Sequence, residues 1–196
     1  MAVTAAEVRS TPARILDAAF AAVRDFGVSR TTVEDVAQRA GLSRQTVYRY
    51  FPSKDHLVLA LVLREEEKFI EGTRQAFSSE ADLERAFARA ITFCLEYARE
   101  HPLLDRLLAT DQETFLPYLT TRGQPVIARA RDSLMELAES RTPPASREAV
   151  RDLLDAAIRT TISYILTPSD HPPATVGRTM ARALVAAISR ESEGRP

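Results

Sequence analysis

Between Arg44 and Tyr50 the chain reads Arg-Gln-Thr-Val-Tyr-Arg-Tyr, with Ser43 before it and Phe51-Pro52 after it. Wound as a helix, this stretch turns Val47 inward and leaves Arg44, Gln45, Thr46, Tyr48 and Arg49 on the open face. Two of these are planar hydrogen-bonding groups. The guanidinium of Arg44 fits the edge of guanine, and the carboxamide of Gln45 fits the edge of adenine. Tyr48 offers a ring to a thymine methyl and a hydroxyl to a phosphate. A purely solvated helix face would carry more Glu and Lys and fewer aromatics. The chemistry available here is the reading of duplex DNA, with Arg49 serving equally as a solvated charge.

Other chemistries lack their residues. The three histidines, His56, His101 and His171, fall in separate elements. There is no phosphate-cradling glycine loop, no nucleophile elbow and no His-Glu-x-x-His pair. Asp105, Asp111 and Glu113 make a loose acidic group on a Pro-bearing segment that reads as solvated. Cys94 is the single cysteine, which excludes an intrachain disulfide and a cysteine zinc cage. It reads as a small buried hydrophobe, with a redox thiol as the other option. An enzyme, a metal site and a cofactor are not expected.

The elements that position the reading helix follow from caps and breakers. Thr31-Thr32 opens a helix that buries Val33, Val36, Ala37 and Ala40 and stops at Gly41, whose freedom to turn left-handed suits a tight turn. Ser43 caps the Arg44–Tyr50 helix, and Pro52 ends it. Upstream, a first helix runs from about Pro12, capped by Thr11, to Phe26, with Ile15, Ala18, Ala19, Ala22, Val23 and Phe26 on one face. Downstream, Ser53 caps a long fourth helix from Lys54 to about Gln75. Further helices are expected from Ser79-Glu-Ala-Asp82 to Glu100, from His101-Pro102 to Thr110, from Gly123 to Ser140, from Ser146 to Leu166, and after Pro173. Asp111 to Thr120 reads as a short Pro-interrupted helical stretch. The expectation is an all-α chain of about nine helices. It divides into a flexible arm (1–10), a three-helix DNA-binding head (11–57) and a larger helical bundle (58–192), with loose ends at 1–10 and 192–196.

The bulk numbers agree. The 196 residues are 45% hydrophobic and 27% charged, an ordinary globular composition. No apolar run reaches the roughly 18 residues of a membrane span, and the first ten residues lack a signal-peptide core, so a cytoplasmic protein is expected. The net charge is −1. Residues 1–60 hold eight Lys/Arg against six Asp/Glu, and the rest eighteen against twenty-one. A mildly basic head on an acidic body fits DNA binding by the head alone.

Residues 31–57 resemble the helix-turn-helix of the tetracycline-repressor (TetR) family. The likeness rests on Thr32, Val36-Ala37, Ala40-Gly41-Leu42-Ser43, Tyr48, Tyr50-Phe51, Lys54-Asp55 and Leu57, with Ile15-Leu16-Asp17-Ala18-Ala19 and Phe26-Gly27 upstream. Gln45 departs from the small residue frequent there, which bears on the operator sequence. The resemblance implies that Arg44, Gln45, Thr46 and Tyr48 enter the major groove while Thr32, Ser43, Tyr50 and Lys54 meet phosphates. Thr32 and Lys54 also suit phosphate unaided, since each begins a helix. Tyr50 serves equally as a core tyrosine with its hydroxyl at the surface.

The resemblance also implies that the bundle binds an effector and dimerises. The last two helices carry Leu154, Ile158 and Ile162, then Met180, Ala183, Leu184 and Ala187. These can form a four-helix interface with a second copy or complete the core of one copy. An effector pocket is expected among Phe69, Phe87, Ile91, Cys94, Tyr97, Leu104, Leu108, Phe115, Tyr118, Leu134 and Tyr164. That interior favours a small apolar or amphipathic effector, such as a lipid-like acid or its thioester, over a sugar. The expected function is a ligand-released repressor that binds a pseudo-palindromic operator as a homodimer. The alternative is a DNA-binding regulator with no ligand, constitutive or governed by a protein partner.

Overall fold

The computed structural model describes residues 10–141 and 147–193. The described residues form ten helices and no strand: α1 (Thr11–Phe26), α2 (Val33–Ala40), α3 (Arg44–Tyr50), α4 (Lys54–Ser78), α5 (Leu83–Glu100), α6 (Pro102–Thr110), α7 (Gln112–Leu119), α8 (Gln124–Glu139), α9 (Arg147–Leu166) and α10 (Pro173–Glu193). The arm through residue 9, the Ser146 cap, loop residues 142–146 and the terminal residues 194–196 lie outside the described residues. Ser192 and Glu193, expected to be loose, belong to α10.

The helix beyond the nine expected is α7. Buried Phe115 and Tyr118 pin it to the core, which offsets the hydrogen bond that Pro117 cannot donate. Two caps differ from expectation. Ser10, not Thr11, precedes α1, and α5 is capped by Asp82, whose carboxylate accepts from the Arg85 N–H at 2.8 Å. Phe26 is 48% exposed instead of buried. It sits at the end of α1, where the Arg39 guanidinium covers its ring at 5.3 Å.

Two cores meet along α4. The first holds Ile15, Val23, Val36, Val47, Leu57 and Leu61 of the head, together with Leu103, Leu107, Phe115 and Tyr118 from α6 and α7. The second holds Phe77, Phe87, Leu95, Val150, Leu154 and Ile188 from α4, α5, α9 and α10, with Met135 of α8. Helix α4 has 25 residues, about 37 Å at 1.5 Å per residue, and its two ends lie in different cores. The head therefore shares its apolar interior with α6 and α7.

Candidate nucleic-acid interface and effector cavity

Local chemistry holds α3 in place. Thr32 and Asp35 form a reciprocal capping box at the start of α2. Gly41 takes φ +62°, the left-handed turn that lets α2 end and α3 begin. The Arg14 guanidinium donates to the Ala40 carbonyl at 2.8 Å and ties that turn to α1. The Ser43 Oγ accepts from the Thr46 N–H at 3.1 Å and lies 2.9 Å from the Thr46 hydroxyl. Val47 is fully buried and anchors α3 from below.

The outward residues are Arg44, Gln45, Tyr48, Arg49 and Tyr50, with Thr46 half-buried. The Arg44 guanidinium rests on the Tyr48 ring, 5.4 Å from its centroid, and donates to the Tyr48 hydroxyl at 3.3 Å. Tyr50 is 41% exposed and lies beneath Arg49. Thr32 already has an anionic partner. Its N–H and hydroxyl donate to the Asp35 carboxylate at 2.8 and 2.6 Å, and these bonds hold that carboxyl below the usual range. The Lys54 ammonium donates to the Ser29 carbonyl at 3.0 Å.

Asp111, expected in solvent, is buried and joins body to head. Its carboxylate accepts from the Ser29 N–H at 3.0 Å and from the Ser29 hydroxyl. Gly27, at φ +85°, leaves the space this carboxylate fills, since a Cβ there would fall 2.0 Å from its oxygen. A second joint lies on Asp55 at the start of α4. It accepts from the Tyr118 hydroxyl at 3.4 Å and from the Arg122 guanidinium at 2.9 Å. The Tyr118 hydroxyl is pushed above its ordinary pKa by burial, then by the Asp55 charge. Sequence spacing carries no sign of either joint, because the partners stand 82, 63 and 67 residues apart.

Inside the body lies a cavity of about 230 Å³. It reaches from Val23 and Val28 in the head to Leu184 on α10, and its wall is almost wholly apolar. Phe69, Phe87, Ile91, Cys94, Tyr97, Leu104, Phe115 and Leu134 line it. Leu108, Tyr118 and Tyr164 do not. Leu108 and Tyr118 pack into the head-side core, and Tyr164 packs against the second core. Cys94 is buried 3.2 Å from the Thr73 hydroxyl, and burial pushes its thiol up to about 11, which leaves almost no thiolate for redox chemistry.

Several of the expected interface residues also border this cavity. Leu154, Ile158, Ile162 and Leu184 line it, because the apolar stripes of α9 and α10 turn inward to enclose the space. Met180 packs half-buried against the second core, Ala187 is half-buried, and Ala183 is exposed.

Two acids and a histidine in the wall stood apart from the expected pocket: Glu65, Glu66 and His101. The His101 Nδ1 accepts from the Leu104 N–H at 3.3 Å, which makes it the cap of α6. Its Nε2 faces the Glu65 carboxylate at 3.9 Å, and burial lowers its pKa. Both Glu66 carboxylate oxygens are buried with no hydrogen-bond partner, and burial pushes its carboxyl up to about 8. The signal was present in the sequence. Val62, Glu66 and Ile70 repeat every four residues, so Glu66 sits on an apolar line of α4. Among the described residues no acidic, His or Cys cluster suits a metal ion, and no helix is long and apolar enough to cross a membrane.

Comparison with known proteins places this architecture. Residues 15–61 match the bacterial regulatory proteins of the tetR family, and residues 82–186 match the C-terminal domain of the bacterial tetracyclin repressor. The transcriptional regulator AlkX of Mycobacterium tuberculosis is 26% identical over 167 residues, covering 81% of this chain and 79% of that one. The crystal structure of AlkX from a Dietzia species, a TetR family repressor implicated in biodegradation of n-alkanes, superposes with a TM-score of 0.75. It is 28% identical, over 92% of this chain and 98% of that one. FadR of Bacillus subtilis, solved with stearoyl-CoA, shares the fold at a TM-score of 0.55 and 17% identity, over 89% of this chain and 98% of that one. The chain belongs to the TetR family and is a transcriptional regulator with a helix-turn-helix DNA-binding domain.

Proposed function

We propose that this regulator is a homodimeric repressor that holds a pseudo-palindromic operator and lets go when a small apolar or amphipathic effector fills the cavity. One observation carries the reading: Val23 and Val28 of the head line the same space as Phe69, Ile91 and Ile162 of the body. An effector seated there presses directly on the core of the DNA-binding head. It also presses on Leu103, Leu107 and Phe115, which belong to the helices next to Asp111 and Tyr118. Those two residues carry a displacement of α6 and α7 to Ser29 and Asp55, at both ends of the helix-turn-helix. Helix α4 supplies the third connection.

On DNA, Arg44, Gln45, Thr46 and Tyr48 read base edges, with Arg44 swinging off the Tyr48 ring. Ser43, Tyr50 and Lys54 meet phosphates, and Thr32 does so by exchanging its Asp35 partner. Two heads read two half-sites about 34 Å apart, so a small tilt of each head is enough to lose one groove. The outer faces of α9 and α10, around Met180, Ala183 and Ala187, form the subunit contact. The protein works in the cytoplasm, on double-stranded operator DNA. The likeness to the Dietzia repressor implicated in n-alkane biodegradation supports both repression and an apolar effector.

The test starts with an operator selected from a random DNA pool. Octane is titrated into the protein with and without that operator, and DNA affinity is read by fluorescence anisotropy. Operator affinity should fall on octane binding, and octane affinity should fall by the same factor on operator binding. Equal octane affinity in both states refutes effector control.

A further inference from the structure

The cavity wall is almost wholly apolar, and its acidic groups gather at one place on α4. Glu66 projects from the middle of α4, and neither of its buried oxygens receives a hydrogen bond from the protein. The other ionisable groups in the wall are Glu65, His101, Cys94 and Tyr97. Glu65 is engaged by Arg64 at 3.3 Å and Lys68 at 2.8 Å. Burial lowers the pKa of His101 and so favours its neutral form. The cation that acts on Glu66 is Arg129 of α8. That guanidinium is already committed to the Glu67 carboxylate and to the Leu63 carbonyl, at 3.1 Å for the latter, and it does not line the cavity. The wall therefore offers both oxygens of Glu66 and one of Glu65 without a hydrogen-bond partner, and no Lys or Arg.

A ligand that ends in a carboxylate would bury its charge beside two acidic side chains with no Lys or Arg in the wall to receive it, a costly burial. A ligand whose polar end donates a hydrogen bond would meet both requirements of the wall at once. Its chain would take the apolar surface, and its donor would take the orphan oxygens. We propose that Glu66 is the polar anchor of the effector cavity and selects apolar chains that end in a donor, a hydroxyl or an ammonium, over chains that end in a carboxylate. This inference rests on the cavity being the effector site. It reverses the expectation of a lipid-like acid.

An ammonium has a further consequence. Glu66 is protonated at neutral pH, so pairing with an ammonium ejects its proton. Glu65, His101, Cys94 and Tyr97 of the wall and Arg129 of α8 are unchanged in the variants below, so the released proton is assigned by difference.

The test uses the full chain and four ligands of equal chain length: octane, octan-1-ol, octylamine and octanoic acid. Affinities are measured by calorimetry in two buffers of different ionisation enthalpy. The variants are Glu66→Met, which removes both oxygens, and Glu66→Gln, which keeps one acceptor and no charge. In the wild type, octanol and octylamine should bind more tightly than octanoic acid. Glu66→Met should weaken octanol about tenfold and octylamine about a hundredfold, since charge-assisted bonds are roughly twice as strong. Glu66→Gln should largely spare octanol, weaken octylamine and abolish its proton release. Octane should bind all three proteins alike. If octanoic acid binds the wild type as tightly as octanol, or Glu66→Met leaves every affinity unchanged, the anchor is refuted while the cavity reading stands. If none of the four ligands binds the wild type, the effector cavity itself is refuted, and the anchor with it.

Discussion

Replacing Glu66 by Met should make the ligand-free protein more stable, and the gain should depend on pH in a defined way. The native carboxyl keeps its proton up to about pH 8, against an ordinary glutamate value of 4.5. The unfolded chain releases that proton near 4.5. Between the two values the unfolded state binds fewer protons, so this residue lowers stability progressively as pH rises and by a constant amount above about 8. At ~1.4 kcal/mol per pH unit the full gap is ~5 kcal/mol. The side chain is only half-buried although its oxygens are covered, and solvent screening reduces this to about 2 kcal/mol. Met fills a similar volume and needs no partner. Urea melts of wild type and Glu66→Met, at one protein concentration, should separate by about 2 kcal/mol more at pH 8.5 than at pH 4.5, or about 4–8 °C in melting temperature. Groups common to both proteins cancel in the difference. A gap that does not change between the two pH values refutes the reasoning, as does a variant less stable than wild type at pH 8.5.

Four further outcomes follow from the interface and its joints. Arg44→Ala and Tyr48→Ala should each cost about 1–3 kcal/mol of specific operator binding with an unchanged melting temperature; unchanged anisotropy titrations in both would remove α3 from the groove. Lys54→Ala should weaken all DNA sequences alike and flatten the salt dependence, and a changed sequence preference would contradict a phosphate role. Asp111→Asn should keep the fold and cost about 1–3 kcal/mol. It should also reduce the effect of bound octane on operator affinity, and full coupling in that variant would relieve Asp111 of its linking role. Ala183→Glu should convert a dimer to monomers in light scattering if α9 and α10 form the subunit contact, whereas Leu184→Glu should unfold the cavity wall.

The parts of this protein that are read from neighbours in sequence were legible in sequence. Thr32, Gly41, Ser43 and Ser53 act within three or four residues of themselves, so their caps and turns follow from residue type alone. The parts set by distant partners were not legible. Asp111 resembles any surface acid until Ser29 and Gly27 arrive from 82 and 84 residues away. The stripes of α9 and α10 looked broad enough for two partners. One copy uses much of them to wall its own cavity, with Leu154, Ile158, Ile162 and Leu184 in the lining, a role that the stripe pattern alone does not reveal. Glu66 stands in Arg64-Glu-Glu-Glu-Lys68, which reads as a solvated face unless its four-residue spacing to Val62 and Ile70 is weighed above its charge.

The shared wall of head and cavity also bears on how such a regulator changes over generations. Val23, Val28, Leu61 and Phe115 line the cavity and belong to the head core, so a substitution there alters recognition of the effector and folding of the DNA-binding head together. Trimming a buried Phe costs about 3–5 kcal/mol, a large part of the stability of an ordinary domain. Ala157, Ile158 and Ile162 on α9 line the opposite wall, are only half-buried and lie outside the head core. New effector preferences are therefore accessible from the α9 side, while the head-side wall stays nearly fixed. Descendants of this chain should diverge along α9 first and keep their valines at 23 and 28.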